Sequence, residues 1–230
     1  MPTHLLPSTM APIRSLPTAG AAMAFLLAIR IDAPLVRLVH AHSTPALDQA
    51  FDALSQLASA ELAVAAGLGL YLHGHLSLAR RPVPSASAER RVRSAVLLLL
   101  TLLSGATLTW LLKHLAARAR PQMLIDHGFN GFGLPFAGHP FTSFPSSHAF
   151  TAFAAAAVLA KVQPAWRWPA LALALAAAAC RVLTLEHYPS DVLFSALIAC
   201  GCAQFWATRV LAPQAAWPLH RPWHRRPSRA

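Results

Sequence analysis

Three short segments set cations, histidines and a carboxylate into a chain that is otherwise mostly apolar. The first is KHLAARARP, Lys113 to Pro121, in which Lys113 is followed after six residues by Arg120-Pro121. The second is Pro145-Ser146-Ser147-His148, inside FTSFPSSHAF. The third is CRVLTLEHYPSD, Cys180 to Asp191, with Arg181, then His187 six residues on, then Asp191 four beyond that. A phosphoryl group in transfer spreads negative charge over its equatorial oxygens, and catalysis is largely positioning plus preorganised positive charge. Lys113, Arg120 and Arg181 supply such charge, and the guanidinium forks suit phosphate because each makes two parallel hydrogen bonds.

Each group also has a plainer reading. Lys113 or Arg118, taken singly, fits a cation anchoring a helix end at lipid head groups. Arg181 is harder to explain that way, because it interrupts an apolar run and charge within a membrane is expensive. Pro145-Ser146-Ser147 before an apolar run is a helix start, where serine caps free amides; the same amides and the helix dipole bind phosphate. His148, next to such a site, is a candidate general acid. A neutral imidazole attacks phosphorus best when its other ring nitrogen is held by an acceptor, which fixes the tautomer and steadies the cation that forms. Asp191 is placed to reach back to His187 across the Tyr188-Pro189 turn, and as a carboxylate at a helix start it also caps well.

These residues must be positioned by apolar helices. Of 230 residues 56% are hydrophobic and only 12% charged, well short of the roughly 25% charge of soluble domains. The net charge of +11 sits between apolar runs rather than along one polar face, which favours loops beside an anionic leaflet over nucleic acid. Cys180, Cys200 and Cys202 lie in apolar surroundings with no framework spacing, so no disulfide is expected. No Cys/His pattern resembles a zinc site, and neither a metal nor an organic cofactor is expected.

Six apolar segments stand out, roughly residues 16–29, 53–72, 94–112, 149–160, 168–185 and 192–208. In lipid every backbone group must be paired within its own segment, so each is expected to be a helix. The first and fourth are short for a span of about 20 residues and recruit their flanks, the first through Ile31 to Val39 and the fourth from Ser146 through Lys161. Residues 40–52 read as an interfacial helix, 73–93 as a cytoplasmic loop and 120–145 as an outer loop. The division expected is a cytoplasmic N-terminal segment 1–15, a six-helix membrane domain 16–212 and a basic cytoplasmic tail 213–230. With both termini inside, 13 of the 19 Lys and Arg face the cytoplasm, Arg14, Arg80 and Arg81 among them, and 6 lie outside, as the positive-inside rule favours. This topology brings Lys113, Ser146 to His148, Arg181, His187 and Asp191 to one outer face.

In these motifs the chain resembles the type 2 phosphatidic acid phosphatase family of membrane lipid phosphatases, which share a helical core with vanadium-dependent haloperoxidases. The family pattern is Lys-x6-Arg-Pro, then Pro-Ser-Gly-His, then Ser-Arg-x5-His-x3-Asp, and the resemblance runs from about Ala95 to Leu197. It implies an all-α, polytopic membrane helix bundle. It implies that Lys113, Arg120, Arg181, Ser146 and the backbone near Ser147 bind phosphate. His148 would protonate the leaving oxygen, His187 would be the nucleophile that forms a phosphohistidine, and Asp191 would orient it. Two positions depart: Ser147 stands for the family glycine and Cys180 for the serine before Arg181.

The activity implied is metal-independent hydrolysis of a lipid phosphate or diphosphate, at the periplasmic face of the inner membrane. Undecaprenyl diphosphate, phosphatidylglycerol phosphate, phosphatidic acid and lipid A phosphates are the candidate substrates. The expected partners are the bilayer and a lipid phosphate, with no nucleic acid; nothing in the sequence points to an oligomeric state. The alternatives are a haloperoxidase-like enzyme, against which the apolar spans count, and an inactive lipid-binding or transport protein, against which His148, His187 and Asp191 count.

Overall fold

The computed structural model describes residues 18–80 and 85–212. The first expected segment therefore begins outside the described residues, as do the N-terminal segment 1–15 with Arg14, the residues 81–84 that include Arg81, and the tail 213–230. The chain forms helices α1 (Thr18–His42), α2 (Pro45–Gln56), α3 (Ala60–Ala79), α4 (Ala86–Ala116), α5 (Pro121–His127), α6 (Ser147–Val162), α7 (Arg167–Leu183) and α8 (Pro189–Val210). A 3-10 turn at Pro164–Trp166 joins α6 to α7. Among the described residues there is no strand, only an isolated bridge between Arg118 and Phe132.

Local chemistry sets the boundaries. The side chains of Thr44, Ser59, Ser85 and Ser146 accept the amide three residues on at the starts of α2, α3, α4 and α6, each cap contributing about 1 kcal/mol. Ser59 and Glu61 break the expected segment 53–72, which is divided between α2 and α3 rather than forming one helix. The stretch 40–52, expected as one interfacial helix, is divided between the end of α1 and most of α2. The 73–93 stretch is a correction too, since α3 runs to Ala79 and α4 starts at Ala86, so most of the expected loop is helix. The outer loop contains α5, which starts on Pro121 and ends at Gly128 with φ 65°, the left-handed conformation that glycine adopts without cost.

Packing centres on α6, which lies against α4, α7 and α8. Phe150, Phe153 and Ala154 of α6 meet Leu102 of α4, Ala170, Ala174 and Ala178 of α7, and Ile198 and Ala199 of α8 in one apolar core. The alanines let the helices approach closely, as small residues do between helices in lipid. At Gly105 of α4 the approach is closer still: a Cβ there would meet the Phe150 ring at 2.2 Å. Outward, Leu26, Leu27, Leu72, Leu103, Trp110, Leu173 and Phe205 are exposed, the surface expected of helices solvated by lipid tails rather than water.

The chain is thus a helical membrane bundle. Residues 45–79, 86–116, 164–183 and 189–210 are long and apolar enough to cross a bilayer. Ser147–Val162 is a shorter apolar helix, and the 25 residues of α1 carry Arg30, Asp32 and Arg37.

Candidate active site

The turn between α7 and α8 holds His187 in a fixed pose. His187 is 3% exposed, and its Nδ1 lies 2.6 Å from the Ser143 carbonyl oxygen. A carbonyl can only accept, so Nδ1 carries the proton and Nε2 keeps its lone pair. Burial, then the cations Lys113, Arg181 and Arg120, hold the imidazole well below its ordinary range. The ring is therefore neutral at neutral pH, the state a nucleophile requires.

Asp191 does reach toward His187, but the hydrogen-bond acceptor of the ring Nδ1 is the Ser143 carbonyl. Asp191 Oδ2 stands 3.9 Å from His187 Nδ1 and is taken up otherwise, accepting from Ser143 Oγ at 2.6 Å and from the Tyr188 amide at 2.9 Å. The amide contact caps the start of α8, and the same oxygen is held by Ser143. Asp191 and His187 are joined one step removed, both through Ser143.

Two of the motif cations meet at Thr142, and Glu186 links Arg120 to the third, Arg181. Lys113, in the last turn of α4, donates to the Thr142 carbonyl at 2.9 Å, and Arg120 Nε donates to Thr142 Oγ1 at 3.2 Å. Arg120 also pairs with Glu186. Arg181, 6% exposed, donates to Asp52 at 3.0 Å and Ser55 at 3.0 Å, both on α2, and has Glu186 at 3.6 Å. Carboxylates therefore face two of the cations. A cavity of about 350 Å³ opens beside Arg120 and Glu186, with Gln122, Asp126 and His139 also in its wall; none of Lys113, Arg181 and His187 lines it. Among the described residues no three His, Cys, Asp or Glu side chains are gathered as metal ligands.

The second motif supplies a helix start. Ser146 is fully buried and caps α6 by accepting from the Ala149 amide. Ser147 is the first helical residue and is not among the residues with positive φ, so nothing in the backbone there demands glycine. His148 is half-buried and sits in the field of Arg181, Asp52, Glu61 and Lys113. Cys180 is 3% exposed and precedes Arg181 in the last turns of α7.

Arg118 is not a head-group anchor. It is 8% exposed and its Nη1 donates to Asp191 at 2.6 Å and to Ser190 Oγ at 2.7 Å, while Nη2 reaches Asp32 of α1 at 2.8 Å. Its guanidinium lies over the Tyr188 ring at 4.2 Å. Asp32, Asp52, Ser55, Thr142, Ser143, Glu186 and Ser190 were all missed by motif reasoning. Only Thr142-Ser143 carried a signal, as a polar pair ahead of an apolar helix start; Asp32 and Asp52 come from distant sequence.

Fold and site together define a polytopic helical membrane protein with a basic, histidine-bearing cluster at one end. The PAP2 superfamily model matches residues 94–213, and the chain belongs to that superfamily. Its relatives include the lipid A 1-phosphatase of Rhizobium johnstonii, 38% identical over 131 residues, which are 53% of this chain and 53% of that protein. The lipid A 1-phosphatase of Rhizobium etli is also 38% identical, over 128 residues, 52% of this chain and 54% of that one. The chain thus spans about half the length of these relatives. Among solved structures it is similar to LpxE of Aquifex aeolicus, with a TM-score of 0.55 and 23% identity over 77% of this chain and 95% of that one. It is also similar to the transmembrane PAP2 type phosphatidylglycerolphosphate phosphatase from Bacillus subtilis, with a TM-score of 0.57 and 17% identity over 82% of this chain and 92% of that one. These two likenesses bear on the fold.

Proposed function

We propose that the protein hydrolyses a lipid phosphate monoester or diphosphate through a phosphohistidine on His187. The observation that carries this is the Nδ1 contact of His187 to the Ser143 carbonyl, because it leaves Nε2 unprotonated. The substrate phosphate lies among Lys113, Arg120 and Arg181, with Ser146 and the backbone at Ser147 adding donors. Binding displaces the Glu186 carboxylate from Arg120. Nε2 attacks phosphorus, the bond from phosphorus to the lipid-side oxygen breaks, and His148 gives that oxygen its proton. In the second half His148 takes a proton from water as the water attacks the phosphohistidine, releasing inorganic phosphate and restoring His187. Asp191 steadies the imidazolium through Ser143 and by its charge 3.9 Å away.

The 38% identity to two lipid A 1-phosphatases makes the phosphate of a lipid A-type glycolipid the first substrate to test. Residues 16–212 are read as one membrane domain of six spans, with α1 and α6 added to the four segments that meet length and composition. The charge asymmetry supports both termini in the cytoplasm and the site at the periplasmic face of the inner membrane.

The test is phosphate release by the purified protein from lipid A 1-phosphate, phosphatidylglycerol phosphate, phosphatidic acid and undecaprenyl diphosphate, with and without chelator. The expected result is turnover that survives chelation and is inhibited by vanadate. No release from any of the four, or activity that requires a restored divalent ion, would overturn the proposal.

A further inference from the structure

We infer that Asp32, on α1, is a positioning residue for His187, acting through Arg118, Asp191 and Ser143. Asp32 lies outside the matched residues 94–213, yet it is 1% exposed and every contact it makes leads toward the site. Its Oδ2 accepts from Arg118 at 2.8 Å and from Ser190 Oγ at 2.5 Å, and its Oδ1 accepts the Ser190 amide at 3.0 Å. It therefore caps α8 from a different helix while gripping the guanidinium. Arg118 uses its other nitrogen to hold Asp191 Oδ1 at 2.6 Å. Asp191 Oδ2 holds the Ser143 hydroxyl at 2.6 Å, and the carbonyl of that same serine holds His187 Nδ1 at 2.6 Å.

The path is continuous and buried: Asp32, Arg118, Asp191, Ser143 and His187 are at most 8% exposed. Each link is made in a buried setting, where water competes little. Arg118 faces two carboxylates rather than one. Without the charge on Asp32 the guanidinium is free to settle wholly on Asp191 and draw it off Ser143. The Ser143 carbonyl then loses its register with Nδ1, and with it the aim of Nε2. None of Lys113, Arg120 and Arg181 is hydrogen-bonded to Asp32, so phosphate binding should not depend on it. α1 is thus part of the catalytic apparatus rather than a membrane anchor beside it.

The inference rests on His187 as nucleophile. Asp32→Asn keeps the shape and one acceptor oxygen while removing the charge. The measurement is kcat, KM and inhibition by inorganic phosphate in the full chain, together with the rate at which labelled phosphate is trapped on the protein. The expected result is a fall in kcat and in trapping of about 10- to 100-fold, with KM and phosphate inhibition within about twofold. Combined with Ser143→Ala, the loss should be no greater than that of the worse single variant, because both act on one path. If Asp32→Asn does not fold, Ser190→Ala, which removes one bond to Asp32 and one to Arg118, takes its place in the same cycle. Additive losses, unchanged kcat, or a rise in KM alone would each overturn the inference. Absence of trapped phosphate in the wild-type protein would overturn the nucleophile reading and this inference with it. Wild-type trapping that Asp32→Asn leaves untouched would overturn this inference alone.

Discussion

At the end of the bundle where α4 and α7 finish, buried arginines meet carboxylates; at the other end an arginine meets the last carbonyls of a helix. Arg118 is clasped by Asp32 and Asp191, and Arg181 by Asp52 with Glu186 nearby. Arg93, near the start of α4, donates to the main-chain carbonyls of Val210 and Ala212 at and just past the end of α8. The second arrangement is helix-terminus chemistry: a cation at the negative end of the dipole satisfies carbonyls that have no partner of their own. The first does not end a helix economically, because buried ion pairs gain little over apolar packing. A cluster of that kind is worth keeping where the charges do something besides hold the fold.

The sharpest way to break the comparison is to remove one arginine from each end. Arg118→Met leaves Asp32 and Asp191 buried without their cation, and breaking such a pair costs about 3–5 kcal/mol. Thermal unfolding in detergent should show that loss together with the disappearance of turnover. Arg93→Met should cost about 1 kcal/mol and leave turnover per folded molecule intact. Equal effects from the two variants would mean the ends are not different in kind.

Gly105→Ala sharpens the comparison in the apolar middle. The added Cβ would sit 2.2 Å from the buried Phe150 ring, and overpacking of this sort costs about 1–3 kcal/mol. The midpoint of unfolding should fall while kcat of the folded fraction stays close to wild type. A large loss of kcat would mean that the packing between α4 and α6 sets the site as well as the fold.

The three motifs and the apolar helices were legible because their signals are local. A cation, a histidine or a helix cap at fixed spacing needs no partner to be recognised; α4, α6 and α8 each cover the apolar run that suggested them, and α7 covers its run up to Leu183. What was not legible depends on contacts between distant residues. Asp32 reads as a flaw in a membrane helix until Arg118 is seen beside it, and nothing in the sequence around Asp52, an exposed carboxylate of α2, says that it meets the buried Arg181. The Ser143 carbonyl as the acceptor of His187 was not legible for the same reason, since spacing shows what a side chain can reach but not what else competes for it. The break at residues 57–59 was hidden by hydropathy, to which a serine cap in an apolar stretch contributes little.

A smaller effect concerns Glu186, which pairs with Arg120 and approaches Arg181 where a phosphate would bind. Glu186→Gln removes the competing charge, so inorganic phosphate should inhibit about tenfold more tightly, equivalent to about 1.4 kcal/mol. Competition assays in detergent read this directly. Unchanged inhibition would mean that Glu186 leaves those cations whether or not it is charged, and the carboxylate-facing end would then be less specialised than the comparison holds.

The central claim is that His187 carries the phosphoryl group. The most direct measurement is rapid quench of the purified protein with a labelled nitrophenyl or lipid phosphate, followed by mapping of the labelled residue. The account predicts an acid-labile label on His187 that is absent in His187→Ala. In His148→Ala the label should persist longer with the nitrophenyl substrate, whose good leaving group needs little protonation while the second step lacks its base. Label on His148, or full turnover by His187→Ala, would contradict it.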